Sequence, residues 1–205
     1  MNAKKRARSK QYNLLLFFFL FLIGVFYISL FSYLYAESKN FLTRRQMQES
    51  VEWAESRSIS IPLSLSFRTD SPWTHALSRG WNAPEQWGVW SRSSTAQIVL
   101  PRLAGGKSKA ICFTFDIGAI VSSDQEQWPI RILIDNRHFV TKEYYKGAGP
   151  HEIQGMSIVD HGPITITFTG PTPRSPFSIN GSRDRRLLSI SLFKVQLSKS
   201  CALHN

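Results

Sequence analysis

Hydrophobic side chains alternate with polar ones from Ser58 to Phe67, and this period of two predicts a β-strand with one buried face. Pro62 favours the edge of a sheet, because proline cannot donate a hydrogen bond to a neighbouring strand. Similar apolar segments, separated by turn residues, predict strands at 96–100, 110–116, 130–134, 138–142, 151–159, 164–169 and 187–197. Such a series without helices between its strands predicts an all-β fold, an antiparallel jelly-roll-like β-sandwich over 58–205.

Two local signals refine this prediction. The run from Asp135 to Arg137 has the residue types of a tight turn, so it predicts a hairpin between two strands. Around Leu192 and Phe193 the apolar positions change from even to odd numbers. This change predicts either a β-bulge or a strand that is buried on both faces.

A different pattern precedes the strands. Residues 14–36 carry no charged side chain, and a cluster of lysines and arginines lies at 4–10. About 20 apolar residues in a helix span a bilayer, and adjacent basic residues favour the cytoplasmic side. We therefore predict a cytoplasmic basic tail over 1–13, a transmembrane helix over 14–36 and a helical stalk over 37–57. The length of the apolar run disfavours a cleaved signal peptide.

The charge of the chain is unevenly divided. All 14 acidic residues and 20 of the 25 basic residues lie beyond residue 36, which leaves a formal charge of +6 there. These basic residues are dispersed, so nucleic acid is excluded as a predicted partner. The sequence favours a dispersed charge that only keeps the domain soluble, because it has no dense basic block. Anionic glycans, lipid headgroups and an acidic protein remain open as partners of a moderately basic surface.

The chain has two cysteines, Cys112 and Cys201. An exported domain can keep a disulfide bond, so pairing is allowed by the predicted location. Cys112 lies in an apolar strand, whereas Cys201 lies in a short polar tail. The sequence leaves the pairing open and favours a buried, free Cys112.

Tryptophan is concentrated in residues 80–91, which hold three of the six in the chain. A tryptophan ring either fills a core or offers a flat face on which the apolar face of a sugar can stack. We expect Trp81 and Trp90 to be structural, because fixed aromatic corners are common in β-sandwiches. The candidate ligand-binding residues are then Trp87, Trp73 and Glu85.

Two separated segments carry a resemblance to a known family. They contain Gly80, Trp81, Glu85, Gly88, Trp90 and Ser91, and then Asp184, Arg186 and Leu188. Over about 79–197 the chain resembles a poorly characterised bacterial β-sandwich domain found on membrane-bound glycosyltransferases and other cell-envelope polysaccharide proteins. The resemblance implies a bacterial inner membrane, a periplasmic or extracellular sandwich, and a glycosyltransferase-like membrane protein as a partner. It also implies structural roles for Asp184 and Arg186.

The sequence offers no positive signal for catalysis. Its histidines have no metal-ligand spacing, and it has no Gly-x-Ser-x-Gly nucleophile motif. Glu85 and Asp184 could form the carboxylate pair of a glycoside hydrolase. A salt bridge from either carboxylate to Arg186 is the simpler interpretation, because charges that leave water normally have partners. We expect no catalytic residue, no metal and no cofactor.

Three function classes follow from these observations. The leading hypothesis is a membrane-anchored, non-catalytic accessory protein for the assembly or recognition of cell-envelope polysaccharide, which requires an exposed aromatic ring. The second is a scaffold with one membrane span that binds other membrane proteins, as in secretion or division machinery, and it requires an exposed apolar edge. The third is an envelope-modifying hydrolase, which requires carboxylates that converge in a cleft.

Overall fold

The computed structural model of the protein describes residues 2–105, 108–120, 127–145 and 150–201. Contacts between residues divide the chain into two compact units, Met1–Arg45 and Gln46–Asn205. The sequence placed the start of the sandwich at residue 58, whereas the second compact unit begins at Gln46.

The N-terminal part is helical. Helix α1 runs from Asn2 to Glu55. Within the described residues, one stretch of it, Phe17–Glu37, is long and apolar enough to cross a membrane, and its side chains are exposed. The predicted apolar span at 14–36 is therefore a continuous helix of suitable length.

The rest of the described chain is mainly β-structure. Its strands are β1 (Ser58–Ile59), β2 (Leu63–Ser66), β3 (Leu77–Arg79), β4 (Val89–Trp90), β5 (Thr95–Leu100), β6 (Arg102–Leu103), β7 (Lys109–Ala119), β8 (Gln127–Ile134), β9 (Arg137–Tyr145), β10 (His151–Val159), β11 (Ile164–Thr169) and β12 (Ile190–Ser198). A 3-10 helix covers Pro72–Ala76, and the short helix α2 covers Pro176–Asn180.

Two antiparallel sheets of five strands form a sandwich. We call the first sheet A, with the order β10-β7-β12-β2 and with β4 also paired to β12. Sheet B has the order β3-β5-β11-β8-β9. Strands β1 and β6 form a separate parallel pair. The predicted antiparallel, jelly-roll-like sandwich is confirmed, because both sheets are antiparallel throughout.

The hydrophobic core lies between the two sheets. Strand β7 contributes the inward-facing Phe113 and Phe115 from sheet A, and β11 contributes Phe168 from sheet B. The rings of Phe115 and Phe168 meet edge to face, with centroids 5.7 Å apart. The alternation of Ile164, Ile166 and Phe168 with threonines therefore gives β11 its buried face, as its period of two predicts.

The predicted length of the first strand is wrong. Residues 58–67 form two strands, β1 and β2, which are separated by a cis peptide bond between Ile61 and Pro62. Pro62 precedes β2, which lies at an end of the sheet A path. The preference of proline for sheet edges holds, but the alternation predicted one continuous strand, whereas β1 pairs with β6 and β2 pairs with β12.

Both local signals are confirmed. Strands β8 and β9 form a hairpin through Asp135 and Asn136, whose φ angles are 50° and 62°. Asn and Asp tolerate these left-handed angles better than most residues. The pairing of β12 with β7 shifts register between Leu192 and Lys194, so Phe193 is the extra residue of a β-bulge.

The expectation of a free Cys112 is wrong. Cys112 and Cys201 form a disulfide bond, with their Cα atoms 5.2 Å apart. In the pairing of β7 with β12, Cys112 lies opposite Ser198, so the chain that leaves β12 brings Cys201 beside it. Cys201 is therefore fixed to the sandwich through the pairing of two strands that are distant in the sequence, and local sequence pattern does not reveal that pairing.

The last turns of α1 belong to the sandwich unit. Ser50 and Ala54 are buried, and Trp53 packs edge to face on Trp73 with ring centroids 5.8 Å apart. The side chain of Gln46 donates to the carbonyl of Leu77 at 3.1 Å. These positions repeat every three or four residues, so one face of the helix end covers the start of β3.

Candidate functional site

The tryptophan loop, residues 80–92, folds back on itself through backbone hydrogen bonds. Asn82 donates to Trp90 at 2.8 Å, and Arg92 donates to Gly80 at the same distance. Gly80 has a φ angle of +80°, and a Cβ atom there would lie 2.3 Å from the carbonyl oxygen of Thr95. Only glycine fits this close approach to β5, which fixes where the loop begins.

Trp81 is part of the core. Its side chain is 3% exposed, and its indole N–H donates to the carbonyl of Gln97 at 2.8 Å. Its ring meets that of Phe168 edge to face, with centroids 5.8 Å apart. A buried tryptophan with a hydrogen-bonded nitrogen fills space and anchors the loop, but it presents no face to a ligand.

Trp87 is the exposed ring of the loop. It is 38% exposed, and its indole N–H donates to Oε2 of Glu85 at 3.1 Å. Its ring lies 4.8 Å from that of Phe193 and 5.7 Å from that of the partly buried Trp90, measured between centroids. Two aromatic neighbours and one hydrogen bond therefore hold an accessible ring in a defined orientation.

The bulge in β12 supplies the aromatic support under Trp87. Phe193 is the inserted residue, and a Cβ atom on Gly118 of the neighbouring strand would lie 3.9 Å from its ring. The loop itself passes close to β12, since a Cβ atom on Gly88 would lie 2.6 Å from the carbonyl oxygen of Leu192. Sequence reasoning found the bulge but missed Phe193 as a member of the site, although the change in apolar period marked its position.

Arg186 connects the loop to the segment before β12. Its Nη1 donates to Glu85 at 2.8 Å, and its Nη2 donates to Asp184 at 2.7 Å. Hydrogen bonds from Arg186 lower the pKa of the Asp184 carboxyl, and hydrogen bonds to Asp184 and Glu85 raise the pKa of Arg186. One guanidinium thus binds both carboxylates, which is the salt bridge that the sequence favoured.

The structure does not bring every candidate residue together. Trp87 and Glu85 are in direct contact, with Trp90, Asp184 and Arg186 around them. Trp73 instead packs against Trp53 at the end of α1. Across the described ranges, no group of three or more His, Cys, Asp or Glu side chains could hold a metal ion. The group around Trp87 can therefore offer a ligand the ring of Trp87 and the carboxylate oxygen atoms of Glu85 and Asp184.

No protein-family model matches the chain, and no curated protein matches it by sequence. Among solved structures, it is similar to dimeric latent PorU from Porphyromonas gingivalis at 7% identity and a TM-score of 0.43. That similarity covers 66% of this chain and 12% of PorU, so the chain spans a small part of PorU.

Two isolated carbohydrate-binding modules are also similar. One is CBM6cm-2 from the Cellvibrio mixtus lichenase 5A, solved with cellotriose, at 8% identity and a TM-score of 0.38, covering 68% of this chain and 98% of the module. The other is a family 35 module from an environmental isolate, at 9% identity and a TM-score of 0.34, covering 65% and 82%.

Proposed function

We propose that this chain is a non-catalytic accessory protein that recognises cell-envelope glycan from a bacterial cytoplasmic membrane. In this proposal α1 anchors it with the N-terminus in the cytoplasm, and the sandwich lies in the periplasm or outside. A membrane protein such as a glycosyltransferase is the proposed partner. The helix Phe17–Glu37, which is long and apolar enough to span a bilayer, supports the anchor.

The observation that carries the glycan proposal is the state of Trp87. Its ring is 38% exposed, yet Phe193, Trp90 and Glu85 fix its orientation. Sugar rings present C–H faces that stack on aromatic rings, and a ring that is already oriented loses little entropy on binding. Glu85 and Asp184 at the same place add acceptors for sugar hydroxyl groups.

The test is glycan binding by the full chain in detergent, measured on soluble oligosaccharides of glucose, mannose, xylose and peptidoglycan. Trp87→Ala should weaken binding at least about tenfold, equivalent to about 1.4 kcal/mol. The matched control is Ile158→Ala, which removes another exposed apolar side chain, on β10. Absence of binding to every oligosaccharide, or equal affinity of Trp87→Ala and the unaltered chain, would refute the proposal.

A second candidate function has its own observation. Strand β10 is an edge of sheet A, and its Met156 and Ile158 are 50% and 57% exposed. An exposed apolar sheet edge is a site at which a partner protein can add a strand. The scaffold alternative therefore predicts that a photo-crosslinker at position 158 captures a membrane protein in cells, and that one at Trp87 does not.

A further inference from the structure

Two large apolar side chains project from one short segment outside the tryptophan loop. We call residues 171–188, which connect β11 to β12, the arginine loop. Phe177 and Leu187 in this loop are 49% and 54% exposed. Their exposure is unusual for a sandwich whose other phenylalanines, within the described residues, are buried or partly buried. They are therefore candidates for contact with something outside the chain.

The same loop is strongly basic. It contains four arginines and one acidic residue, Asp184, which gives it a formal charge of +3. Asp184 is bound by Arg186, whose remaining contact is with Glu85 of the tryptophan loop. Arg183 and Arg185 are exposed. The loop thus presents positive charge beside apolar surface, and its own acidic side chain is already bound.

Contacts within the arginine loop and with the tryptophan loop hold Phe177, Arg185 and Leu187 in place. The guanidinium of Arg185 lies 4.8 Å from the centroid of the Phe177 ring. The backbone N–H of Phe177 donates to the carbonyl of Asp184 at 2.8 Å, and the side chain of Asn82 donates to the carbonyl of Leu187 at 3.1 Å. An aromatic ring under an arginine is an amphipathic pair that suits the boundary between hydrocarbon and headgroups.

The position of the sandwich along the chain favours a lipid surface. The apolar stretch of α1 ends at Glu37, and the sandwich unit begins at Gln46. Eight residues, 38–45, lie between them, and even a fully extended chain of this length reaches only about 30 Å, so an anchored chain keeps the sandwich near its membrane. A tether of this length makes a weak surface contact effective, because the local concentration of headgroups is high.

We propose that the arginine loop docks on anionic phospholipid headgroups of the membrane that holds α1. Phe177 and Leu187 enter the headgroup layer, and Arg183 and Arg185 bind lipid phosphates. This inference rests on the anchoring part of the proposed function and is independent of glycan binding.

The test uses the full chain in nanodiscs of phosphatidylcholine, with or without about 30% phosphatidylglycerol. The described residues contain no free cysteine, so a fluorophore can be attached to Leu187→Cys, with Phe177→Cys as the second position. Ile158→Cys is the matched control, because Ile158 is 57% exposed and Leu187 54%. Nitroxide lipids labelled near the headgroup quench a fluorophore that lies at the membrane surface.

Quenching at position 187 should be at least about twofold stronger than at 158 in discs with phosphatidylglycerol. It should fall in pure phosphatidylcholine and in the double variant Arg183→Gln, Arg185→Gln. Equal quenching at 187 and 158 would overturn the docking and leave the loop as a surface for an acidic protein. Failure of the chain to co-elute with nanodiscs would overturn the anchor and the docking together. The glycan test on Trp87 does not depend on the quenching result or on co-elution, so its outcome is separate.

Discussion

Arg186 donates a hydrogen bond to Glu85 at 2.8 Å, although the two residues are 101 positions apart in the sequence. The bond joins the tryptophan loop to the segment that enters β12. Both side chains are partly exposed, so the ion pair contributes little to global stability. Its effect is to fix the position of Glu85, which in turn accepts the indole N–H of Trp87 at 3.1 Å.

Loss of this guanidinium should loosen the loop without unfolding the protein. Arg186→Gln should lower the free energy of unfolding by less than about 1 kcal/mol, as expected for an exposed pair. Hydrogen exchange of the amides in residues 80–92 should become faster. The control is Arg68→Gln, which removes the exposed pair with Asp70 and should leave that exchange unchanged. A much larger loss of stability for Arg186→Gln would show that the network supports the core.

Trp81 and Trp87 should respond differently to truncation. Trp81→Ala should lower the free energy of unfolding by about 3–5 kcal/mol, because it empties a buried site and leaves the Gln97 carbonyl without its donor. Trp87→Ala should cost only about 1 kcal/mol, the scale of its contacts with Phe193 and Trp90. Chemical denaturation of both variants measures the difference, and equal losses would contradict the assignment.

Gly80 should tolerate no side chain. Gly80→Ala would place a Cβ atom 2.3 Å from the Thr95 carbonyl oxygen at a φ angle of +80°, so a loss of more than about 2 kcal/mol is expected. Gly162→Ala is the matched control, because nothing lies within 4 Å of its added Cβ atom. Thermal melts of the two variants provide the comparison. A Gly80→Ala protein as stable as the control would show that the loop can move away from β5.

The hairpin aspartate should make stability depend on pH. Burial raises the pKa of Asp135, although the Thr165 N–H that it accepts at 2.8 Å acts in the opposite direction. A raised pKa contributes stability below the unfolded value of about 3.9, and that contribution is lost as pH rises through the folded pKa. Asp135→Asn keeps the acceptor and the turn conformation, so it should be more stable than the unaltered protein at neutral pH.

Denaturation from about pH 3 to pH 7 checks this prediction, since the advantage of Asp135→Asn should shrink as the carboxyl becomes protonated. Asp70→Asn serves as the control, because Asp70 lies on the surface in an exposed pair with Arg68. An advantage that is the same at every pH would show that the charge of Asp135 is not its source.

The end of α1 should stabilise the sandwich. Trp53 packs on Trp73 and on the ring of His75, with centroids 5.8 Å and 6.0 Å away. Trp53→Ala in the full chain should therefore lower the free energy of unfolding by about 2–3 kcal/mol. Val51→Ala, two residues away on a different and exposed side of the helix, should change it by less than about 0.5 kcal/mol. Indistinguishable variants would indicate that the helix end is dispensable.

The sequence was most informative where structure depends on local pattern. Strands β10 and β11 have the predicted bounds, because alternation and turn residues both mark their ends. The Asp135 hairpin and the bulge at Phe193 could be predicted for the same reason. Trp81 is buried and Trp87 is exposed. The two positions have the same parity, so alternation along a strand does not separate them, and the expectation that Trp87 is exposed depended on its neighbours Gln86 and Gly88. Their roles in binding stay predictions.

Relationships between distant segments could not be read from local pattern. The disulfide between Cys112 and Cys201 depends on the register of β7 against β12, and the support of Trp87 by Phe193 depends on a bulge meeting a loop about 100 residues earlier. The sequence named Glu85, Asp184 and Arg186 as a group, but not that one guanidinium would bind both carboxylates. Exposure of Phe177 and Leu187 likewise depends on the fold of residues 171–188, in which Phe177 bonds to Asp184 and Leu187 bonds to Asn82.

The place of β12 in sheet A has a consequence for how the protein matures. This strand is the last of the described chain, yet it lies between β7 on one side and β2 and β4 on the other. Sheet A therefore cannot be completed until the chain has been synthesised as far as Ser198 and, if it is exported, translocated to that point. A premature stop codon before Ile190 would remove the middle of the sheet and not its margin, and it would leave Cys112 as an unpaired thiol.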